Sequence, residues 1–442
     1  MSLVGPRYLA CPGTGGNGTG ALAVRILVDQ SGYDLLNIGD VAMLQSCVAR
    51  LQRQWSGAEI MVIAHEPGRL ASYCPDAIAI RRTLADLPLF RFLPQRPRLA
   101  SEQAWKIAAP YFSGRLGCGH AVRDRPRTAI EAVQAADLVV ASGGGYVTDT
   151  WWWHAAGVLS LLSLAQRLGK PTAMFGQGIG PIGQRVLRAQ AGAVLPKLKV
   201  MGLREGRIGR DLVLSLGMPP GAVTVTGDDA LELIGGTSTA EGNALGVNVR
   251  VSSYAGVEPA AAAAVGDLVL EAAAGLRAPI VGLPVSRCAA DADVSALHAL
   301  LHREHSHADI VLDDIASPEA LVSAAASCRA IVTGSYHAAV FGLAQGVPAV
   351  YLTKSSYYDA KFGGLRALFP GACFVVPLDV PDWSARLSTT ILQAWHLPAP
   401  ARAAARDTAV RLRDAGREAY AQFRIEVENP AMFTADSQEL VT

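Results

Sequence analysis

The chain has 442 residues and a formal net charge of +1 at pH 7, and it is 50% hydrophobic and 17% charged. This length predicts two domains, because a single hydrophobic core rarely extends beyond about 250–300 residues. The near-neutral charge argues against a nucleic-acid-binding protein, and the apolar runs are too short for the roughly 20 residues of a membrane-spanning helix.

Residues 1–21 are rich in glycine and are expected to form a flexible tail, since they do not follow a strand as a phosphate-binding loop does. The first predicted strand is Arg25–Asp29, after which the chain turns through Asn37 and Asp40 into an amphipathic helix. Asp40 is able to cap that helix. Alternatively, Asn37 and Asp40 lie in a binding crevice and contact hydroxyls or phosphate. Residues 84–126 lack periodicity and are predicted to be an insertion near the substrate.

The next motif is a run of glycines after the apolar strand predicted at Asp137–Ala141. Gly143, Gly144 and Gly145 would let a ligand approach the backbone, and the helix that follows favours anions at its N-terminus. The run is neither a GxGxxG fingerprint nor a Walker loop, so it does not predict a nucleotide site. The tryptophans of Trp151–Trp153 either stack on a sugar, pack in the core or form an interface.

Two further strands are predicted at Thr172–Gly176 and Val200–Leu203, and residues 177–181 between them are predicted to form a glycine-rich turn. Arg204 follows the second of these strands, where its guanidinium either binds a carboxylate or phosphate or pairs with a nearby acid. Asp228 is one of two acids after the next strand. These acids either bind a sugar hydroxyl or a cation, or cap the following helix.

Residues 234–244 are small and polar and predict a linker, so we place a first Rossmann-like domain at 22–235 and a second at 236–442. The alternation of strands and alanine-rich helices restarts after the linker, which predicts a second doubly wound α/β domain. A C-terminal helix at about 400–424 is expected to pack back across the domains. The predicted architecture is therefore two doubly wound domains that face each other across a cleft.

The most informative stretch contains His337, at the start of a helix that follows the strand Ala330–Thr333. Lys354 ends the next predicted strand, Ala349–Thr353, and ligands of parallel α/β units collect at such carboxyl ends. The imidazole and the ammonium group are expected to face one crevice, together with Lys361, and to suit an anionic substrate and proton transfer. Taken alone, such a histidine is as often a cap or a surface residue.

The seven cysteines are scattered without a CxxC pair, which argues against a zinc site or a disulfide framework and is typical of a reducing compartment. The N-terminal residues also lack the pattern of a secretory signal. We therefore expect a cytoplasmic protein without a transmembrane segment. Peripheral membrane association and oligomerisation remain open.

Seven segments occur in order over about residues 25–365: NIGDVAML, DLVVASGGGYVTD, FGQGIGP, GLRE, TGDDA, GVNVR and GSYHAAVFGLAQGVPAV. Together with the lysine that follows them, they resemble the polysaccharide pyruvyl transferase family. The resemblance implies a GT-B-like fold. It also implies transfer of the enolpyruvyl group of phosphoenolpyruvate to a sugar of a cell-envelope or exopolysaccharide precursor. The product would be a pyruvate ketal, the acceptor a sugar or glycan-lipid, and neither a cofactor nor a metal would be required.

The resemblance also implies roles for individual residues. His337 would be the acid that protonates the methylene carbon of the donor, and Asp40 or Asp228 would bind or activate the acceptor hydroxyl. Asn37 and the glycines of Gly143–Gly145 would complete the acceptor side. These assignments place the acceptor mainly on the first domain.

The donor side would consist of Arg204, Arg250, Lys354 and Lys361, which neutralise the carboxylate and phosphate of phosphoenolpyruvate. Many family members carry an arginine two residues before the histidine, where this chain has Ser335. A serine cannot replace a guanidinium charge. One of the other cations therefore compensates, or the donor is different.

Two other functions are compatible with the same residues. A GT-B-like glycosyltransferase would bind a nucleotide sugar, although the second domain shows no clear acidic ribose-binding signature. A non-catalytic family member would bind a glycan without turning it over. Ligand binding and turnover distinguish the three functions.

Overall fold

The computed structural model describes residues 23–82, 128–235, 241–249, 259–288, 293–301, 310–311, 315–354 and 356–429. Arg250, the predicted insertion 84–126 and the predicted tail 1–21 lie outside the described residues. The other candidate site residues all lie within them.

The described residues alternate between strands and helices along most of the chain. The strands are β1 (Arg25–Asp29), β2 (Glu59–Ile63), β3 (Ala77–Ile80), β4 (Leu138–Ala141), β5 (Gly144–Val147), β6 (Thr172–Ile179), β7 (Val200–Leu203), β8 (Val223–Val225), β9 (Ala244–Asn248), β10 (Ile280–Gly282), β11 (Ile310–Val311), β12 (Cys328–Thr333), β13 (Ala349–Thr353) and β14 (Cys373–Pro377). The α-helices are α1 (Ile38–Gln54), α2 (Pro67–Tyr73), α3 (Ala129–Ala135), α4 (Trp152–Arg167), α5 (Arg185–Val194), α6 (Gly209–Ser215), α7 (Pro259–Leu276), α8 (Asp293–Leu301), α9 (Pro318–Ala326), α10 (Tyr336–Ala344), α11 (Ser356–Leu368), α12 (Trp383–Trp395) and α13 (Ala399–Glu428).

The strands form two parallel sheets. The first has the order β3-β2-β1-β4-β6-β7-β8, with β5 paired to β6, and the second has the order β11-β10-β9-β12-β13-β14. All the pairings are parallel. The predicted α/β class with two doubly wound sheets is therefore confirmed.

Each sheet reverses its winding direction once, between β1 and β4 in the first sheet and between β9 and β12 in the second. A crevice opens at such a switch point because the connections on either side leave in opposite directions. The loop after β1 leads to α1, and the loop after β12 leads to α10. Asn37 ends the first of these loops, and Asp40 and His337 lie in the first turns of α1 and α10.

The long C-terminal helix α13 packs against both halves of the protein. Its residues Ala405 and Ala409 lie in a core of the second sheet, whereas Tyr420 and Phe423 lie in a core of the first. The ring of Tyr420 stacks on Phe175 with centroids 3.7 Å apart. In the described part of the chain, none of the helices combines the length and apolar character needed to span a membrane.

One predicted turn is wrong. Residues 177–181 were expected to form a loop, but β6 continues through Gln177 to Ile179. Gly176 lies within this strand at a φ of +58°. The pairing of β6 with β7 shifts in register between Met174 and Gln177. Glycine at a strand end is usually read as a turn, and here it makes an irregularity within a buried strand.

A buried ionic cluster joins α1 to the segment after β8 and to the C-terminal helix α13. Arg50 of α1 contacts Asp229 at 2.6 Å and Glu232 at 3.0 Å, and the Tyr420 hydroxyl donates to Asp229 Oδ2 at 3.0 Å. Asp229, one of the two acids considered for a sugar or a cation, is therefore engaged in a structural ion pair. Arg50 is only 2% exposed, so its charge contributes to stability only while its carboxylate partners remain.

We expect Arg50→Met to reduce the free energy of unfolding by about 3–5 kcal/mol, because it leaves the buried carboxylate of Asp229 without its cation. Arg53→Met is the matched control, since Arg53 also contacts Glu232, at 2.5 Å, but has a side chain that is 57% exposed. That change should cost less than about 1 kcal/mol. Urea unfolding of both variants measures the difference, and similar costs would contradict the structural role of Arg50.

Candidate functional site

The site forms where the loop after β1 meets the second half of the chain. Asn37 and Ser286 form an antiparallel bridge, and the Ile38 amide donates to the Val285 carbonyl at 2.9 Å. These backbone contacts hold the N-terminus of α1 against the second sheet. They bring the start of α1 close to the start of α10.

The imidazole of His337 lies in the first turn of α10 and is packed from two sides. It is 6% exposed. A Cβ atom at Gly39 would overlap the ring at Nδ1, so only a glycine at that position leaves room for it. On its other side, Nε2 lies 3.7 Å from Oδ2 of Asp228. The histidine is therefore held between a backbone wall of the first half and a carboxyl group.

Asp228 follows β8 and is 2% exposed. Its Oδ1 accepts a hydrogen bond from the Ala230 amide at 2.9 Å and caps the short 3₁₀ turn Asp229–Leu233. Its Oδ2 has no hydrogen-bond partner among the described residues and faces His337. Burial raises the pKa of Asp228 to about 6, against the opposing charge of Arg204. This carboxyl group can therefore gain or lose a proton near neutral pH.

Two cations meet on the ring of Tyr336. The guanidinium carbon of Arg204 lies 4.3 Å from the ring centroid, and Nζ of Lys361 lies 5.0 Å from it. Both cationic side chains line one pocket, which also includes Gly145, Thr148, Gly178, Gly180 and Glu205. Two cations in one small pocket make it suited to an anionic ligand.

The glycines around Arg204 have a steric function. A Cβ atom at Gly145 would overlap the guanidinium group, and one at Gly178 would lie 2.6 Å from Nε of Arg204. Gly143 and Gly144 instead pack against the side chains of Met43 and Tyr146. Of the three glycines predicted for the acceptor, Gly145 is the one that lines the pocket with Arg204.

Asn37 and Asp40 lie at the N-terminus of α1, on either side of the glycine that packs against His337. Asn37 caps α1, because its Oδ1 accepts from the amides of Gly39 and Asp40 at 3.0 and 3.3 Å. The alternative in which Asp40 caps that helix is therefore wrong. Asp40 lies in the first turn, beside Gly32.

Two predicted donor residues, Ser335 and Lys354, are not among the residues that line the pocket around Arg204. Ser335 is 1% exposed, and its amide donates to Thr333 Oγ1 at 2.8 Å. Lys354 follows β13 and is half-buried. Lys361 is the predicted lysine that lies beside that arginine.

Sequence reasoning missed Tyr336. Although it placed Gly39 and Gly178 at the crevice, it did not predict that they make room for His337 and Arg204. Tyr336 precedes the histidine in an apolar run, where an aromatic residue is usually a core residue. The two glycines are explained only by side chains distant in sequence. Within the described residues, no group of three or more His, Cys, Asp or Glu side chains is arranged to hold a metal ion.

The sequence of the chain matches a known protein family. A family model described as polysaccharide pyruvyl transferase matches residues 37–356, which include Arg204, Asp228 and His337. No curated protein matches the chain in sequence.

Several solved structures share its fold. A protein described as a UDP-N-acetylglucosamine 2-epimerase from Listeria monocytogenes has a TM-score of 0.59 at 12% identity, over 93% of this chain and 98% of that one. The UDP-GlcNAc 2-epimerase of Neisseria meningitidis, bound to UDP-GlcNAc, has a TM-score of 0.53 at 12% identity, over 91% and 99%. The calicheamicin glycosyltransferase CalG4 has a TM-score of 0.51 at 14% identity, over 93% and 100%. These similarities show a GT-B-like fold of two Rossmann-like halves.

Proposed function

The chain belongs to the polysaccharide pyruvyl transferase family, and from this premise we propose that it uses phosphoenolpyruvate as its donor. The enolpyruvyl group is transferred to a sugar of a cell-envelope or exopolysaccharide precursor, with formation of a pyruvate ketal. The observation that carries the proposal is the buried pair of His337 and Asp228, close to the pocket in which Arg204 and Lys361 meet on one ring.

The positive charge of the pocket is complementary to the negative charge of phosphoenolpyruvate. Phosphoenolpyruvate carries a carboxylate and a phosphate on a three-carbon skeleton. Arg204 offers a planar guanidinium that binds either group through two hydrogen bonds, and Lys361 adds a second positive charge. The guanidinium is fixed by Gly145, Gly178 and the Tyr336 ring, so little side-chain entropy is lost when an anion binds.

The reaction forms two C–O bonds at C2 of the donor and breaks the bond between C2 and the phosphate oxygen. A proton added to the methylene carbon converts it to the methyl group of the ketal and makes C2 electrophilic. The two acceptor hydroxyls attack C2 in turn and each loses a proton. One proton replaces the one given to the methyl group, and the other leaves on the phosphate as HPO₄²⁻.

We assign the proton delivery to His337, because its imidazole lies in the first turn of α10 with Nε2 3.7 Å from Oδ2 of Asp228. Ionised Asp228 favours the protonated imidazole, which is the form able to act as an acid. Asp40, in the first turn of α1, is our candidate for the group that binds or activates the acceptor hydroxyl. Asn37 is proposed to support that side through the cap that fixes the turn.

This chain has Ser335 where many family members have an arginine, and Lys361 is our candidate for the cation that takes its place. Lys361 lies over the same aromatic ring as Arg204 and supplies a second cation without any change at the buried serine. We propose that this lysine compensates for the serine, with Lys354 as a further candidate for the donor phosphate. The donor can then remain phosphoenolpyruvate.

Thermal unfolding in the presence of candidate donors tests the proposal. We expect phosphoenolpyruvate to raise the Tm more than inorganic phosphate does, because a ligand that binds only the folded state stabilises it by mass action. Arg204→Ala should abolish the difference. UDP and GDP are the comparison ligands, and a shift with either of them alone would favour a glycosyltransferase. No shift with any of the four would contradict the phosphoenolpyruvate donor.

A further inference from the structure

A contact between the two halves lies directly beside the cation pocket. Glu205 follows Arg204 and is 6% exposed. Its Oε2 accepts from the amides of Arg207 and Ile208 at 2.8 and 3.4 Å, and its Oε1 accepts from the Gly209 amide at 3.3 Å. Three backbone donors therefore hold this carboxylate in place, and the side chain has little freedom to move.

The held side chain of Glu205 rests on helix α11 of the second half. A Cβ atom at Gly364 would lie 2.6 Å from both Cγ and Oε2 of Glu205 and 2.8 Å from Cδ. These distances are shorter than carbon atoms of separate residues tolerate. Gly364 therefore forms a seat for Glu205, and any larger residue would push α11 away from the first half.

A shift of α11 at Gly364 also moves Lys361, which lines the pocket. Lys361 precedes Gly364 by three residues on α11, so both lie on the same side of the helix. Arg204 is the chain neighbour of Glu205 and is fixed by Gly145 and Gly178. A displacement of α11 consequently moves Lys361 but leaves Arg204 where it is.

We propose that Gly364 is a positioning residue that sets the separation of Lys361 and Arg204 and thereby the fit of a small donor with two anionic groups. The inference rests on the proposed function, because it takes these two cations to be the donor site. It goes further in assigning a role to a residue that does not line the pocket. The contact between Gly364 and Glu205 therefore sets the spacing of the two cations across the pocket.

The test is the Gly364→Ala variant, with Gly363→Ala as its matched control. A Cβ atom at Gly363 meets the terminal nitrogen of the Arg207 side chain, which is flexible and can rotate away. We expect Gly364→Ala to raise the KM for phosphoenolpyruvate about tenfold while kcat changes less, since the displaced group binds the donor and does not transfer the proton. Gly363→Ala should leave the KM unchanged.

A double-mutant cycle with Glu205→Ala separates positioning from general damage to the helix. Once Glu205→Ala has removed the atoms that the new methyl group would strike, Gly364→Ala should cause no further rise in KM. The double variant also lacks the clash, so it serves if Gly364→Ala alone does not fold. An equal rise in both backgrounds, or in Gly363→Ala, would overturn the inference.

The two proposals fail in different ways. If the wild-type protein neither binds nor turns over phosphoenolpyruvate, the proposed function is wrong. If the wild-type protein is active and Gly364→Ala has the wild-type KM, the proposed function stands and the positioning role of Gly364 is wrong.

Discussion

Replacing His337 with glutamine is expected to lower kcat for transfer from phosphoenolpyruvate by a factor of about 10²–10⁴, the range that a positioned general acid contributes. Glutamine retains a hydrogen-bonding side chain but cannot deliver a proton to carbon. Arg204 and Lys361, the cations of the proposed donor pocket, are unchanged, so the increase in Tm that we expect from phosphoenolpyruvate should persist. The change therefore separates proton transfer from donor binding.

The control is His396→Gln, because His396 is exposed at the end of α12, outside the site. Single-turnover release of phosphate from phosphoenolpyruvate, with and without acceptor, measures the chemical step directly. An unchanged rate in His337→Gln would show that another group is the acid. If wild-type protein binds a glycan but never releases phosphate, the chain is a binding member of the family.

Much of the fold was predictable because its strands are short apolar runs bounded by glycine, proline or charged residues. The predicted bounds of β1, β7 and β13 are those observed. Buried parallel strands need almost continuous apolar sequence, and their carboxyl ends are marked by the polar residue that follows. That rule led directly to Arg204 and His337.

The close packing at the site was not predictable. Nothing local to Gly39 indicates that its missing side chain makes room for an imidazole about 300 residues away. The stacking of Arg204 and Lys361 on Tyr336 likewise depends on how three distant segments meet. Helix α11 was not predicted, because its sequence mixes small, aromatic and charged residues and its position depends on contacts with β13, β14 and the Glu205 seat.

The position of Asp228 within the site also needed the structure. From sequence it was one of two adjacent acids with the same candidate roles. In the fold, Asp229 pairs with Arg50 and accepts from Tyr420, whereas Asp228 faces His337. Two neighbouring carboxylates therefore have different surroundings, because successive side chains leave the backbone in different directions.

Asp228→Asn is expected to abolish the acidic limb of the pH profile of kcat/KM. In the wild-type protein the pKa of Asp228 is about 6, raised by burial. Below that pH the carboxyl group is protonated, and its charge no longer holds the imidazolium of His337 in place across the 3.7 Å contact, so activity should decline as the pH falls through about 6. The asparagine amide can keep the hydrogen bond from Ala230, but it has no charge to titrate. An acidic limb that survives in the variant would mean that another group produces it.

The same substitution should make the protein more stable at alkaline pH. The folded-state pKa of about 6 lies above the ordinary value of 3.8, so the ionised carboxylate opposes folding by about 3 kcal/mol once the pH exceeds 6. Below 3.8 the group is protonated in both states, and this penalty disappears. Asp228→Asn should therefore unfold at higher urea than wild type at pH 8 and at nearly the same urea at pH 4. Asp229→Asn is the matched control. Burial raises the pKa of this carboxyl group too, but the change also leaves buried Arg50 without its partner at 2.6 Å, so the variant should be destabilised at pH 8. If Asp228→Asn alone becomes more stable and less active, the Asp228 carboxylate lowers the stability of the fold and is retained for its function.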